Sequence, residues 1–427
     1  MSAAAITAQE LHSRYQNTFG RVGGYLPRNP LAIDEFQKSL APRAVDLKDD
    51  LAKSVREFAE FIHSDGIARM YVSQMIDEVP EEHRHIRSID DLIQYLNVVV
   101  GWAPSYDRDP QKLIALPMSA LFGYMRLTKS GHVAFRLPQF NDALRKVMDT
   151  WYQYLNSAES THVLNTRNWF SQPAIELNKL YEYECWDHRG EDYWGFTSFN
   201  DFFHRRIKLD EFRQLAGEGD PSVITAPADG TVYNMARGVA RSDEFWLKEV
   251  YSLENMLWGP QCGSEYVSKF VGGDVYQSFL SVNSFHRWNV PVDGTIKHLE
   301  KVPGLMFSHL EMERPDPTTY TSSQSYQANV NTRGLAFIEC GPELGNRMVC
   351  QVVIGMEEVS SIDWSVKVGD QVHRGQELGY FSYGGSSMAL VFEQGIVNEF
   401  TVPQNDPHTH PDDGPTVFVR SQIARAS

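Results

Sequence analysis

The stretch with the clearest chemical potential is FSYGGSSMAL, residues 381–390. Its central residues 384–387 are Gly-Gly-Ser-Ser, and they interrupt an apolar run that is typical of a strand. Glycine inside a strand usually marks a bulge or a bend, so a structural kink is the simplest interpretation. A serine directly after an unhindered glycine also permits chemistry, because its hydroxyl can attack the carbonyl carbon of the preceding residue.

That chemistry would convert part of the backbone into a cofactor. Attack of the Ser386 hydroxyl on the carbonyl of Gly385 gives an ester, and elimination then cuts the chain. Gly385 keeps a carboxylate, residue 386 becomes dehydroalanine, and hydrolysis with loss of ammonia leaves an N-terminal pyruvoyl group. Such a ketone forms a Schiff base with a substrate amine and accepts the electrons that decarboxylation releases. The four residues alone do not decide between this chemistry and a kink.

The N-terminal part of the chain, which precedes this stretch, is predicted to be helical. Apolar residues recur at spacings of three and four from Leu47 to Ile62, which predicts one amphipathic helix ending at Gly66. Ser88 is expected to cap a second helix, and Asn141 is a candidate cap for a third. These apolar stripes predict core packing and carry no chemistry of their own.

After about residue 185 the pattern changes to short β-branched runs separated by Gly, Pro and Asp turns. A last short helix is expected first, in GFTSFNDFFHRRIK, capped by Ser198 or Asn200. The hexapeptides PADGTV at 227–232 and PVDGTI at 291–296 each predict a turn that enters a strand.

These turns, together with the glycines of VKVGDQVHRGQELG, look like the hairpins of a barrel-sandwich hybrid. The predicted fold class is therefore α+β. We expect a helical N-terminal domain over residues 1–185, followed by a β-rich sandwich or barrel-sandwich-hybrid-like catalytic domain over residues 186–427.

Composition excludes several classes of function. The formal net charge of −16 and the pI near 5.3 argue against nucleic acid or an anionic membrane as the main partner. No run of 18 uncharged apolar residues and no secretory leader pattern are present, which predicts a cytoplasmic protein without a stable membrane anchor. The scattered cysteines indicate neither a disulfide framework nor a structural zinc site; they are Cys185, Cys262, Cys340 and Cys350.

Six ordered segments resemble one family. TSFNDFF, APADGTV, LSVNSFHRWNVPVDGTI, KVPGLMFS, VVIGMEEVSSI and GQELGYFSYGGSS follow, over about residues 196–395, the pattern of the pyruvoyl-dependent phosphatidylserine decarboxylases. The chain is most similar to the soluble fungal branch, which has a helical N-terminal extension and includes aromatic amino acid decarboxylases of the L-tryptophan type. The resemblance implies a covalent pyruvoyl cofactor made from Ser386, with cleavage into chains 1–385 and 386–427.

The same resemblance assigns roles to individual residues. Ser386 would be both the self-cleavage nucleophile, attacking at Gly385, and the pyruvoyl precursor. Asp229 matches the aspartate that orients the family's histidine, although an Asp-Gly turn explains it equally. Ser387 matches a Ser or Thr position that assists proton transfer or positions the substrate, although a turn hydroxyl bonded to its own backbone is the alternative.

The histidine pattern departs from the family. Where the family has His-Arg-x-His, this chain has FHRWN, which keeps His286 but has Asn289 in place of the second histidine. Either His286 serves both cleavage and decarboxylation, or maturation is slow or absent; we favour the first. Phe285, Trp288 and Asn289 are candidate walls of a substrate pocket, with core packing as the alternative for the aromatic pair.

The predicted substrate is a soluble L-amino acid, suggested by the resemblance to be aromatic and tryptophan-like. Phosphatidylserine is the alternative, disfavoured by the acidic chain, and a non-processed, non-catalytic binding or scaffold homologue is the second. No metal is predicted, because His408, His410, Asp412 and Asp413 lie in a Pro-rich stretch typical of a solvated turn. The oligomeric state is left open.

Overall fold

The structure is a computed structural model that describes most of the 427 residues. The described ranges are 31–47, 50–107, 109, 112, 114–246, 250–280, 285–308, 323–358, 361–404 and 415–427. The α-helices within them are α1 Leu31–Leu47, α2 Lys53–Ser64, α3 Gly66–Asp77, α4 Ile89–Val99, α5 Pro117–Phe122, α6 Lys129–Ala134, α7 Pro138–Leu155, α8 Gln172–Leu177, α9 Phe199–Phe203, α10 Leu209–Phe212, α11 Leu253–Leu257, α12 Val267–Phe270 and α13 Gln324–Val330.

The strands follow after residue 222. They are β1 Val223–Thr225, β2 Gly230–Ala236, β3 Asp274–Leu280, β4 Arg287–Asn289, β5 Gly294–Val302, β6 Arg333–Cys340, β7 Met348–Met356, β8 Ile362–Trp364, β9 Gln371–Val372, β10 Glu377–Phe381, β11 Gly385–Phe392, β12 Val397–Phe400, β13 Thr416–Val417 and β14 Gln422–Ala426. Helices followed by antiparallel sheets confirm the predicted α+β class.

The chain divides into two compact units. The described part of the first covers residues 31–151, and that of the second covers residues 152–308 and 323–427. The division falls between Trp151 and Tyr152, inside α7, whereas the sequence pattern placed the change of texture near residue 185. Residues 152–222 are helical and irregular, but they pack within the β-rich unit.

The helical predictions for the first unit are confirmed in part. Ser88 caps α4, since its hydroxyl accepts a hydrogen bond from the backbone N–H of Asp91 at 3.0 Å. The predicted first helix was too long at its start, because α2 begins only at Lys53. The prediction for Asn141 was wrong: α7 begins three residues earlier at Pro138, and the Asn141 amide donates to the carbonyl of Leu137.

The largest sheet of the second unit has the strand order β13-β2-β3-β11-β7-β6-β5-β9, and every described pairing in it is antiparallel. Smaller sheets have the orders β1-β14-β12 and β4-β10-β8. One core lies between the smaller sheets and one face of the large sheet, and a second lies between its other face and α11 to α13. The strand β11 therefore runs between two buried layers.

The predicted turns enter strands as expected. The two Asp-Gly turns lead into β2 and β5. Gly369 and Gly375 have φ values of 95° and 81°, a region of backbone space that favours glycine. All four cysteines are buried and free. Among the residues that the structure describes, no helix is both long and apolar enough to span a bilayer.

Candidate active site

Ser386 lies at the start of β11, in the middle of the large sheet. It pairs with Leu280 of β3 on one side and with Gly355 of β7 on the other. Its side chain is completely buried, and its hydroxyl has no hydrogen-bond partner. Gly384, two residues earlier, has a φ of 139°, which L-residues rarely adopt. The residues predicted to do chemistry thus lie in a turn whose backbone conformation favours glycine, and this turn leads into a buried strand.

The two serines point to opposite faces of the sheet, because side chains alternate along a strand. Met388 and Leu390 belong to the core that also holds Trp288, so Ser386 faces the same layer as β4. Ser387 faces the other layer, which contains α13. The two hydroxyl groups are therefore adjacent in sequence but lie in different surroundings.

Ser387 is held by a buried hydrogen-bond network. Its hydroxyl accepts from Nε2 of Gln277 at 2.8 Å and donates to the carbonyl of Ser278 at 3.1 Å. The hydroxyl of Tyr251 donates to Oε1 of Gln277 at 2.7 Å, which fixes the orientation of this amide. Gln277 also donates to the carbonyl of Gln324, whose own side-chain amide is buried and lacks a hydrogen-bond partner.

The helix α9 holds the turn before Ser386. Ser198 caps this helix as predicted, accepting from the backbone N–H of Asp201 at 3.1 Å. Oδ1 of Asn200 accepts a hydrogen bond from the backbone N–H of Tyr383 at 3.0 Å. The rings of Phe199 and Phe203 pack on the Tyr383 ring, with centroids 5.0 Å and 4.8 Å away. The segment TSFNDFF therefore stabilises the turn at residues 382–384 through a hydrogen bond and ring packing.

His286 lies just before β4 and is completely buried. Its ring packs against Phe203, with centroids 4.1 Å apart, and its carbonyl accepts from the backbone N–H of Phe381 at 3.0 Å. The same helix thus contacts both His286 and the turn that precedes Ser386. No hydrogen bond joins the Ser386 hydroxyl to His286 in this arrangement. Catalytic hydrogen bonds are often long before the reacting geometry forms.

The neighbouring Arg287 ties β4 to the end of α9. Its guanidinium donates from Nε to the carbonyl of His204 at 2.6 Å and pairs with Glu377 at 2.9 Å. Nη2 of Arg287 lies 3.4 Å from Nδ1 of His204. Burial, followed by the charge of Arg287, lowers the pKa of His204 to about 4, so this ring is neutral near pH 7.

Asn289, which replaces the second histidine of the family pattern, forms hydrogen bonds to the backbone of two neighbouring segments. Its side chain is buried and its amide donates to the carbonyl of Gly375, while its backbone N–H donates to the carbonyl of Pro227 at 2.7 Å. The first bond joins β4 to the turn before β10, and the second joins it to the segment before β2. Its predicted place in the substrate pocket stays a prediction.

Asp229 is paired with an arginine. Its carboxylate accepts from Nε of Arg213 at 3.1 Å and 3.2 Å, from Nη2 of Arg213 at 2.8 Å, and from the backbone N–H of Val419 at 2.8 Å. Arg213 also bonds to Glu182 at 2.9 Å. Burial opposes the charge of Arg213, but the bonds to Asp229 and Glu182 outweigh it and raise the pKa of the guanidinium.

The register places Asp229 at the same end of the sheet as Ser386. Thr231 of β2 aligns with Phe279 of β3, and Phe279 aligns with Ser387 of β11. Asp229 lies two residues before Thr231, just before β2 begins, and is therefore at the end of β2 that is level with Ser386. The orienting role of Asp229 stays a prediction.

The two predicted pocket aromatics are packed in cores. Trp288 is fully buried and contacts Phe381 and Trp364 edge-on, at 5.5 Å and 5.1 Å between ring centroids. A Cβ on Gly379 would lie 2.3 Å from the Trp288 ring, so glycine is required beside it. Phe285 packs near Tyr183, 6.4 Å between centroids, in a smaller cluster. Their role as pocket walls stays a prediction.

A group that sequence reasoning missed could hold a metal ion. The ligand atoms of Cys262, His298 and Glu300 all lie within 4.8 Å of one another. The spacing of His298 and Glu300 along a predicted strand was an available signal, because residues two apart share a face. The acidic stretch with His408 and His410 lies outside the described residues.

Asn200, Gln277 and Tyr251 were also missed as supports of the site. Their partners lie far away along the chain: 183 residues separate Asn200 from Tyr383, and 110 separate Gln277 from Ser387. A single amide carries no spacing pattern that would reveal such a partner.

The chain is similar in sequence to known decarboxylases. Two family models described as phosphatidylserine decarboxylase match residues 52–177 and 199–417. A decarboxylase, iboD, of Amanita muscaria is 37% identical over 65% of this chain and 83% of the relative. An L-tryptophan decarboxylase of Psilocybe cubensis is 30% identical over 89% and 91%. A phosphatidylserine decarboxylase proenzyme 2 of Oryza sativa subsp. japonica is 30% identical over 48% and 30%.

Proposed function

The chain belongs to the phosphatidylserine decarboxylase family and is a decarboxylase, and on this premise we propose that it cuts itself between Gly385 and Ser386 and then decarboxylates a soluble L-amino acid. The observation that carries the proposal is the buried Ser386 hydroxyl without a hydrogen-bond partner, placed directly after a glycine. Such a hydroxyl costs about 1–3 kcal/mol. A kink needs the glycines, but it gives no reason to bury an unpaired serine.

Self-cleavage uses groups of this chain. The Ser386 oxygen attacks the Gly385 carbonyl carbon, the C–N bond breaks, and the acyl group moves to oxygen. Loss of the α-proton of residue 386 expels the Gly385 carboxylate, and water then replaces the nitrogen, which leaves as ammonia. The positive φ of Gly384, which glycine adopts without strain, and the hydrogen bond between Asn200 and Tyr383 fix the turn in which we propose that this attack occurs.

His286 is the proposed base for the Ser386 proton, acting directly or through one water. It is buried, and the Phe203 ring that packs on it also packs on Tyr383 beside the turn. Asn289 is not available for this task, because an amide does not accept a proton near neutral pH and its nitrogen is bonded to Gly375. Asp229 remains the proposed orienting carboxylate, held in place by Arg213.

The pyruvoyl group made from Ser386 would supply the electron sink for loss of carbon dioxide. The chain's own residues provide its surroundings. Residue 386 is enclosed between β3 and β7, which excludes water. Ser387, whose hydroxyl is oriented by Gln277, is the proposed group that positions the substrate or assists a proton transfer.

A free amino acid is the proposed substrate, and an aromatic, tryptophan-like one is the first candidate. The net charge of −16 disfavours delivery from an anionic membrane. The L-tryptophan decarboxylase of Psilocybe cubensis is matched over 91% of its length, against 30% for the plant phosphatidylserine decarboxylase proenzyme. The unpaired amide of Gln324, next to Gln277, is available to bind a polar group of the substrate.

The test is amine formation by the purified chain. Tryptophan, phenylalanine, tyrosine and glutamate would be supplied separately, with phosphatidylserine in vesicles as the competing substrate. The proposal expects an amine from at least one free amino acid in the wild type and none with Ser386→Ala. Turnover of phosphatidylserine alone would contradict the substrate assignment, and equal turnover by Ser386→Ala would contradict the cofactor.

A further inference from the structure

A compact cluster of metal-ligand side chains lies away from the candidate active site. His298 and Glu300 share one face of β5, where they align with Phe337 and Leu335 of β6. Cys262 lies in the segment between α11 and α12. Strands β7 and β6 separate β5 from β11, so the two strands are roughly 14 Å apart at the usual spacing of about 4.8 Å, and the cluster is level with residues 389–391 of β11 rather than with Ser386.

The carboxylate of Glu300 is the centre of this cluster. Its oxygens accept hydrogen bonds from the backbone N–H groups of Gln261 at 2.8 Å and Cys262 at 3.0 Å. Nε2 of His298 lies 3.0 Å from Oε2 of Glu300. A Cβ on Gly259 would lie only 2.5 Å from this carboxylate, so the segment lies directly against Glu300. These contacts bring the Cys262 sulfur to the same place.

The Cys262 thiol interacts with the Glu300 carboxylate and with three backbone carbonyls. Its sulfur is 3.6 Å from the carbonyls of Leu257 and Gly263 and 4.0 Å from that of Gly259. Glu300 is buried, whereas the His298 side chain is 21% exposed. The cluster therefore presents a sulfur, a nitrogen and an oxygen ligand, with one side open to solvent.

We propose that Cys262, His298 and Glu300 bind a divalent transition-metal ion, Zn²⁺ first of all, with solvent as the fourth ligand. Thiolate, imidazole and carboxylate are the donors that Zn²⁺ takes in tetrahedral sites, at about 2.0–2.3 Å. Ligand atoms within 4.8 Å of one another need only a small contraction around such an ion.

The ion would fasten the segment between α11 and α12 to the sheet. The end of α11 and the start of this segment are already held by Arg333 of β6, which donates to the carbonyls of Asn255, Met256 and Trp258 at 2.7–2.9 Å. Metal binding at Cys262 would complete the attachment from the β5 side. The role is structural and does not depend on the proposed reaction.

The test is metal content and cobalt spectroscopy of the full chain. Protein stripped with a chelator and dialysed against Zn²⁺ should retain one ion per chain, and Co²⁺ should give thiolate-to-metal charge-transfer absorption. Cys262→Ser should lose that absorption, and His298→Gln should bind zinc at least tenfold more weakly. Cys340→Ser, which removes another buried cysteine, is the matched control and should match the wild type.

The wild-type cobalt spectrum decides the matter even if a variant fails to fold. Absence of the charge-transfer band, or less than a tenth of an ion per chain, would overturn the proposal. A band that persists in Cys262→Ser and disappears in Cys340→Ser would assign the metal elsewhere and also overturn it.

Discussion

The side-chain oxygen of Asn200 accepts a hydrogen bond from the backbone N–H of Tyr383 at 3.0 Å, across 183 residues of sequence. This bond attaches α9 to the turn that precedes Ser386. Replacing Asn200 by Ala leaves the buried N–H without this acceptor, at a cost of about 1–3 kcal/mol. We expect self-cleavage to slow at least tenfold, as measured by the fraction of cut chain against time on denaturing gels.

Asn178→Ala is the matched control for this prediction. Asn178 is also a buried asparagine of the second unit, but its amide donates to the carbonyl of Ala174 within one helix. It should lower the free energy of unfolding and leave the cleavage rate unchanged. Equal slowing by both variants would show that Asn200 acts only through general stability.

Gly384→Ala should hinder maturation through the backbone. At a φ of 139° a Cβ costs about 1–3 kcal/mol, and relief of that strain would move the carbonyl of Gly385 away from Ser386. Gly369→Ala provides the comparison, because its φ is 95° and no atom lies within 4 Å of the added carbon. We expect uncut chain to accumulate with Gly384→Ala only. Rapid cleavage by this variant would mean that the turn geometry is not required.

His286 and Asn289 should respond differently to alanine. Loss of a general base typically slows a reaction by 10² to 10⁴, so His286→Ala should leave the chain uncut over hours. Asn289→Ala removes a bond to Gly375 and should reduce the free energy of unfolding by about 1–3 kcal/mol, with cleavage retained in the folded fraction. Cleavage kinetics and urea unfolding measure the two effects separately. Full cleavage by His286→Ala would exclude it as the base.

The lowered pKa of His204 predicts that the free energy of unfolding decreases on acidification. Its pKa falls from 6.5 to about 4 in the folded chain, first through burial and then through Arg287, with Asp201 and Asp363 acting weakly in the opposite sense. Below pH 6.5 the unfolded chain therefore binds more protons, and the free energy of unfolding decreases from about pH 6.5 to about pH 4. Above pH 6.5 this contribution is constant.

Urea unfolding in an uncleavable Ser386→Ala background tests this dependence. Adding His204→Gln should make the stability less dependent on pH within that window and leave the dependence above pH 7 unchanged. Identical pH profiles with and without His204 would contradict the prediction.

Local signals in the sequence predicted local structure well. Ser88 and Ser198 each begin a helix because the cap and its partner lie three residues apart. The prediction for Asn141 was wrong because proline is well suited to the first turn of a helix, and α7 begins at Pro138. Asn141 therefore lies inside the helix, where its side-chain amide donates a hydrogen bond to the carbonyl of Leu137. The apolar residues from Leu47 to Ile62 keep helical spacing although the chain leaves the helical conformation between α1 and α2. Periodicity alone therefore predicted one helix where the structure has two.

The supports of the site depend on long-range pairing. The turn motifs correctly predicted strands at β2, β5 and β10, and the glycine before Ser386 identified this serine as a candidate nucleophile. The pairing of Asp229 with Arg213, and of Ser387 with Gln277, arises only when distant strands and loops meet. Such partners leave no periodic pattern, and charge alone does not distinguish Arg213 from the other cationic residues of the chain.

The most direct test is the intact mass of the purified wild type beside Ser386→Ala and Ser387→Ala. The account predicts two chains for the wild type, residues 1–385 and 386–427, the shorter with a pyruvoyl group in place of an N-terminal serine. Ser386→Ala should give one uncut chain, and Ser387→Ala should still be cut at the same bond. A single uncut wild-type chain, or a cut that persists in Ser386→Ala, would contradict it.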